Sequence, residues 1–205
     1  MSAMIPANLV VEDELSEAVL RRLLATCGGP WAVENVYSRG GSGYITKNIR
    51  GFDHASKGTP FVILLDLDAS GCAARRVRSL LPHGPNKNTI FRIAVREVEA
   101  WLLADRASMA SFFGLKPDRI PTNVEELTDP KRTLVRLAAK ARTRAIRDDI
   151  VPPKGSTAVQ GRAYNARLSK FVSTLWDPDG ARANCDSLDR AMQALERFAP
   201  SWKPL

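Results

Sequence analysis

The sequence predicts an α/β protein in which a mostly parallel central sheet is flanked by helices and followed by a helical C-terminal part. Three observations carry this. Short apolar runs alternate with stretches of helical periodicity through the first half of the chain, the pattern of successive βαβ units. The run Phe61-Val62-Ile63-Leu64-Leu65 shows no polar alternation, as a strand covered on both faces of a parallel sheet requires. From Lys116 onward the β signal fades and amphipathic periodicity takes over.

The elements follow in order. Leu9-Val10-Val11 forms a short strand that stops at Glu12, and Leu15, Ala18, Val19 and Leu23 then repeat at helical spacing. Cys27-Gly28-Gly29-Pro30 breaks that helix, and residues 31–37 read as a second strand. The glycine-rich residues 38–43 match neither the Walker A nor the dinucleotide spacing, so a flexible connection is expected there. Residues 44–56 read as a helix with Lys47 and Arg50, leading through Gly58-Thr59-Pro60 into the central strand. A helix carrying Arg75, Arg76 and Arg78 is expected over 70–81, a strand over 89–95, and an amphipathic helix over 96–105 with Trp101, Leu102 and Leu103 in the core.

Asp129-Pro130 is a helix start, with Asp as cap and Pro in the first turn. In the helix expected to follow, Arg132, Arg136, Lys140 and Arg144 fall four apart and make a basic stripe opposite Leu134, Leu137 and Ala141. A track for a phosphate backbone and a plainly solvated face both have this pattern. Two more helices are expected over 164–176 and 188–198, separated by the breaker Asp177-Pro178-Asp179-Gly180. The division expected is an α/β core over 1–113 and a basic, mainly helical part over 114–205 packed on the same core.

Composition narrows the function. Cys27, Cys72 and Cys185 are scattered and odd in number, and the only histidines are His54 and His83. This argues against a disulfide framework, a zinc ribbon and a histidine-centred nuclease motif. No apolar run approaches the roughly 18 residues that span a bilayer, and residues 1–10 have no secretory pattern. A soluble, cytoplasmic protein without a membrane partner is expected. The net charge of +8 divides unevenly: residues 1–68 hold six Lys/Arg against eight Asp/Glu, and residues 69–205 hold 24 against 14. Bases that meet phosphates behind acids that hold a metal would suit an enzyme acting on a polyanion; proteins that only bind nucleic acid share the high pI.

The acids themselves stand at strand ends. Asp66 and Asp68 follow the central strand two apart, so on a continuing strand they share a face and can hold one hard cation; they can equally open the loop and cap the next helix. Glu12 has the same relation to the first strand. Glu17 either points back to that pocket or pairs with Arg21 at i+4. Glu97 and Glu99 stand just past a further strand end, where one of them completes the acidic site or both serve a helix N-terminus.

A lone Glu after the first strand and an Asp-x-Asp after a later one resemble the Toprim domain of topoisomerases, primases and nucleases of the overcoming-lysogenisation-defect class. The segments Val11-Glu12-Asp13-Glu14-Leu15-Ser16-Glu17 and Glu97-Val98-Glu99-Ala100-Trp101-Leu102-Leu103-Ala104-Asp105 also look like a group of small bacterial Toprim-like proteins of unassigned function, often encoded beside an ATPase and linked to phage defence. The resemblance covers about residues 8–110. It implies a Toprim-like core in which Glu12 is an acid/base group or metal ligand and Asp66 and Asp68 bind Mg²⁺ or Mn²⁺, with Glu97, Glu99 and Glu17 as further ligand candidates. Lys154 is the candidate for the late lysine that such nucleases carry near the metals. The chain departs from the pattern at Asp13, where many relatives have Gly, and at Ser16, where the nucleases have an acid.

The function expected is thus a Mg²⁺-dependent nuclease or phosphoryl-transfer enzyme acting on DNA or RNA, with Arg132, Arg136, Lys140 and Arg144 on the nucleic acid. The alternatives are a non-catalytic module that binds and regulates an ABC- or AAA-type ATPase, and a basic nucleic-acid-binding protein without chemistry. Oligomeric state stays open, a homodimer included.

Overall fold

A computed structural model describes residues 4–38, 40–67 and 71–201; Asp68 lies outside the described residues. Four parallel strands, β1 (Ile5–Val10), β2 (Trp31–Tyr37), β3 (Phe61–Asp66) and β4 (Thr89–Ala94), form one sheet in the order β2-β1-β3-β4. Leu9 is in register with Val36 on one side and Val62 on the other, and Val62 with Ile90. The chain leaves β1 toward β2, then returns to β3 and β4 on the other flank. The order therefore reverses between β1 and β3, which makes their carboxyl ends the switch point where open α/β sheets take ligands.

Side-chain alternation along the strands builds two apolar layers. Ile63, Leu65, Phe91 and Ile93 meet Ile45, Ile49 and Phe52 of α2 (Gly41–Ala55) and Leu80 of α3 (Ala73–Leu80). Val62, Leu64, Ile90 and Ala94 belong instead with Leu15, Val19 and Leu23 of α1 (Glu14–Thr26). The later helices join this second layer: α5 (Arg106–Phe113), α6 (Pro130–Ala138), α7 (Arg144–Ile150), α8 (Tyr164–Thr174), α9 (Pro178–Arg182) and α10 (Asp186–Glu196). Leu134, Leu168, Phe171, Leu188 and Met192 lie in the same buried cluster as the strands, so the C-terminal helices extend the core of the sheet.

At the centre of that layer is α4 (Val98–Ala104), in which all seven residues are buried. Its sequence has no polar face except Glu99, and a helix that is apolar all round has to be enclosed. It packs on β4, α6 and α9. Trp101 is fully buried, and its indole N–H donates to the Ser187 hydroxyl at 2.8 Å.

Four expectations need correction. The glycine-rich connection is not loop throughout: Gly40, at φ +84°, is the cap and α2 begins at Gly41 rather than Tyr44. The helix over 96–105 ends at Ala104, because the Asp105 carboxylate accepts from Ser108 N and starts α5. The segment 177–180 does not merely break structure, since Asp177 accepts from Asp179 N and opens α9 with Pro178 in its first turn.

The basic stripe does not lie on one helix. After Ala138 the amides of Lys140 and Ala141 turn back to carbonyls three residues earlier, and that of Arg142 donates to Phe113 O. The α-helical ladder is therefore spent. Arg132 and Arg136 remain on α6, Lys140 lies in the turn, and Arg144 begins α7, where it pairs with Asp148. Among the described residues no helix is long and apolar enough to cross a membrane.

Because Trp101 fills the junction of α4 with the sheet, Trp101→Ala should cost about 3–5 kcal/mol. Thermal denaturation should show a fall of about 10 °C in Tm; an unchanged Tm would contradict the central role of α4.

Candidate functional site

The acids at the switch point are tied to one another through backbone amides. Glu12, just beyond β1, accepts a hydrogen bond from Asp66 N through Oε1 at 2.9 Å. Asp66, the last residue of β3, accepts through Oδ1 from Val98 N, the first amide of α4, at 3.0 Å. Glu97 precedes α4 and accepts through Oε2 from Lys131 N in the first turn of α6 at 2.8 Å. Glu99, in the first turn of α4, accepts through Oε1 from the hydroxyl of Tyr164, the first residue of α8, at 2.8 Å. The Lys131 ammonium lies 3.6 Å from the same oxygen. Glu12, Asp66, Glu97 and Glu99 thus link β1, β3, α4, α6 and α8.

Burial sets the electrostatics. Asp66 is desolvated, and the charges of Glu99 and Glu12 add to that effect, so its carboxyl titrates well above the usual range despite the opposing Lys131. Burial also raises Glu99, against the pull of Lys131. For Lys131 burial works against the charge, but Glu99, Glu97, Asp66 and Asp13 outweigh it and hold the ammonium on. Burial and Glu99 keep the Tyr164 phenol protonated, so it acts as a donor.

One atom stands out. Glu99 Oε2 is buried and has no hydrogen-bond partner; an unpaired carboxylate oxygen in that position is costly unless a cation or proton meets it. The donor set, carboxylate oxygens alone, matches a hard divalent cation. As they stand, no three His, Cys, Asp or Glu side chains among the described residues converge on a metal position, and the Lys131 ammonium faces Glu99.

Several sequence candidates come together here and others do not. Glu12, Asp66, Glu97 and Glu99 form the cluster. Glu17 faces Arg21 at 2.8 Å, the i+4 pairing, and lines a groove with Ser169 and Lys170. Lys154 is exposed and borders a separate cavity with Arg147 and Asp148. The lysine that reaches the acids is Lys131, which sequence reasoning missed together with Tyr164; the sole local sign was a lysine directly after the Asp129-Pro130 helix start. Asp13, in the place of the glycine of the resembled pattern, caps α1 by accepting from Ser16 N at 2.9 Å.

Glu97 and Lys131 also line a cleft of about 520 Å³ that continues over Arg132, Val135 and Arg136 of α6 to Pro152, Ala158 and Val159. A larger cavity of about 760 Å³ runs between residues 122–126 and 182–189. Its acids are engaged, Glu125 with Ser187 N and Asp189 with Arg182, and none of the cluster borders it.

A carboxylate whose folded pKa is raised contributes stability that is present at low pH and is lost as pH rises through that pKa. With chelator present, Asp66→Asn should therefore raise Tm at pH 8 by about 2–4 °C, corresponding to about 1 kcal/mol. The gain should vanish near pH 4, where Asp66 is neutral in the wild type. A lower Tm at pH 8 would show that Lys131 overcompensates the buried charge. The chain matches no protein-family model, no curated protein and no solved structure.

Proposed function

We propose that the chain is a divalent-cation-dependent nuclease of the Toprim type. The observation that carries this reading is the gathering of Glu12, Glu97 and Glu99 about Asp66 at the switch point, with the Lys131 ammonium on Glu99 and a buried oxygen of Glu99 left without a hydrogen bond. Acids held this close, with Glu99 buried and Asp66 desolvated, need a function or a counterion. Asp66 and Glu99 would hold Mg²⁺ or Mn²⁺, with Glu12 beside them and Asp68 expected next to Asp66 from the sequence. When bound, the cation polarises the phosphoryl oxygen and makes a water nucleophilic at neutral pH.

The remaining roles belong to the chain. In hydrolysis the water oxygen bonds to phosphorus, the ester P–O bond breaks, and the departing oxygen takes up a proton. Glu12, anchored by the Asp66 amide, is the carboxylate suited to receive the water proton. Lys131 offers its ammonium to a non-bridging phosphate oxygen, and Tyr164 fixes Glu99 through its hydroxyl. Arg132 and Arg136, exposed on the adjoining α6, provide cations for the neighbouring phosphates.

A second reading draws on the same bonds. Glu12, Asp66 and Glu97 each engage a backbone amide, which suits a module whose acids brace the fold while it regulates an ATPase.

Incubation of labelled plasmid, single-stranded DNA and tRNA with Mg²⁺ or Mn²⁺ separates the two. Cleavage by the wild type should fall about 10³-fold in Glu12→Gln and Asp66→Asn, the loss of several kcal/mol of transition-state stabilisation. Cation at about a hundredfold over its Kd should also stabilise the wild type by about 2.7 kcal/mol and leave Asp66→Asn unmoved. Absence of both effects would sink the nuclease and favour the bracing module.

A further inference from the structure

The cleft beside the acids joins two exposed arginines of α6 to an apolar wall. Arg21, Arg144, Arg167, Arg182 and Arg190 each have a carboxylate partner, whereas the exposed Arg50, Arg75 and Arg78 on the α2 and α3 side have no ion pair among the described residues. Among the described residues the guanidinium groups of Arg132 and Arg136 have none, although both are exposed on the cleft wall. Four apart on α6, they present two adjacent cations on one face. The two acids that share the cleft are already engaged by α6: Glu97 accepts from Lys131 N and Asp129 from Arg132 N.

The rest of the lining is apolar. Pro152 and Val135 line the cleft together with Val159, which is 75% exposed. A large aliphatic side chain left open to water beside two unpaired guanidinium groups forms a surface with one apolar part and one anion-binding part. The volume, about 520 Å³, lies within the roughly 300–1,000 Å³ of sites that enclose one small molecule. A base-sized group fits such a cleft, and a base-paired helix does not.

We propose that the cleft between α6 and the loop over residues 152–161 seats one unpaired nucleotide of a single-stranded nucleic acid. Its phosphates lie on Arg132 and Arg136, and its base lies against Pro152 and Val159. Because Glu97 and Lys131 belong both to the cleft and to the acidic cluster, the linkage next to the seated nucleotide is delivered to the acids. This rests on the nuclease reading and deepens it: the substrate is an unpaired strand. Apolar contact with the face of a base, like stacking, does not depend on which base it is, so the cleft selects strandedness rather than sequence.

The test measures binding apart from cleavage. Fluorescence anisotropy is recorded with the Asp66→Asn chain in chelator, using short labelled oligothymidylate, oligouridylate, a duplex of equal length and an oligoglutamate peptide. Single strands should bind at least about tenfold more tightly than duplex, and the two strand probes read out DNA against RNA. Val159→Asp, on an exposed loop, should weaken single-strand binding about tenfold while leaving Tm unchanged. Arg132→Ala with Arg136→Ala should reduce the slope of log K against log salt by about 1.4, two phosphate contacts on a single strand.

Equal affinity for duplex overturns the proposal. So does an equal loss when Lys47 and Arg50 on α2 are replaced instead, or equal binding of oligoglutamate. A wild type that cleaves nothing yet keeps these binding differences loses the catalytic reading and keeps the cleft. A wild type that cleaves single and double strands alike, indifferent to Val159→Asp, keeps catalysis and loses the cleft.

Discussion

The rest of the structure depends on the burial of Glu99 and the desolvation of Asp66 at the sheet's switch point, with the Lys131 ammonium beside them. Glu99 is 1% exposed, and Asp66 is desolvated enough to resist ionisation. An ion moved out of water costs several kcal/mol even after relaxation. The fold answers with what is nearest: backbone amides of Asp66, Val98 and Lys131, the Tyr164 hydroxyl, and the Lys131 ammonium. Each belongs to a different part of the chain, so holding the acids also fixes where β3, α4, α6 and α8 stand.

Apolar burial offsets that cost. Val98, Trp101, Leu102 and Leu103 of α4 are buried almost completely, and each contributes about 1.5–3 kcal/mol. Together they supply roughly 6–12 kcal/mol, comparable with the several kcal/mol each for the buried Glu99 and the desolvated Asp66. The helix that carries Glu99 into the interior is thus held there by its own apolar residues. This explains why a sequence as apolar as Val98–Ala104 tolerates a glutamate at its second position, and why the C-terminal helices pack around it rather than forming a separate unit.

This weighting decides what was legible in the sequence. β3 and Asp66 were readable because a continuous apolar run ending at an acid is a local signal, as was the pairing of Leu15, Val19 and Leu23 along α1. Lys131 and Tyr164 were not, because they meet Glu99 from 32 and 65 residues further along the chain, and no spacing rule connects positions that only tertiary packing brings together. The stripe over Arg132, Arg136, Lys140 and Arg144 failed for a similar reason. Its period is helical, but the amide of Arg142 finds Phe113 O, a partner invisible to periodicity. Asp-Pro was a sound helix start at 129–130, and the same chemistry at 177–178 was obscured by the glycine that follows it.

Lys131 connects the two halves of the functional reading. It follows the first residue of α6, its amide donates to Glu97 and its ammonium faces Glu99, while the next two exposed positions on the same helix, Arg132 and Arg136, face the cleft. A divalent cation at the acids would carry the charge that Lys131 now supplies, and would reduce the attraction that holds the ammonium against Glu99. A phosphate entering from the cleft would meet that ammonium from the other side. On the proposed reading, cation and strand therefore favour one another without any change of fold: each removes part of the electrostatic cost of the other by drawing on the same side chain. The coupling follows from geometry, because a lysine stem anchored at the amino end of a helix reaches both surfaces and cannot neutralise both fully at once.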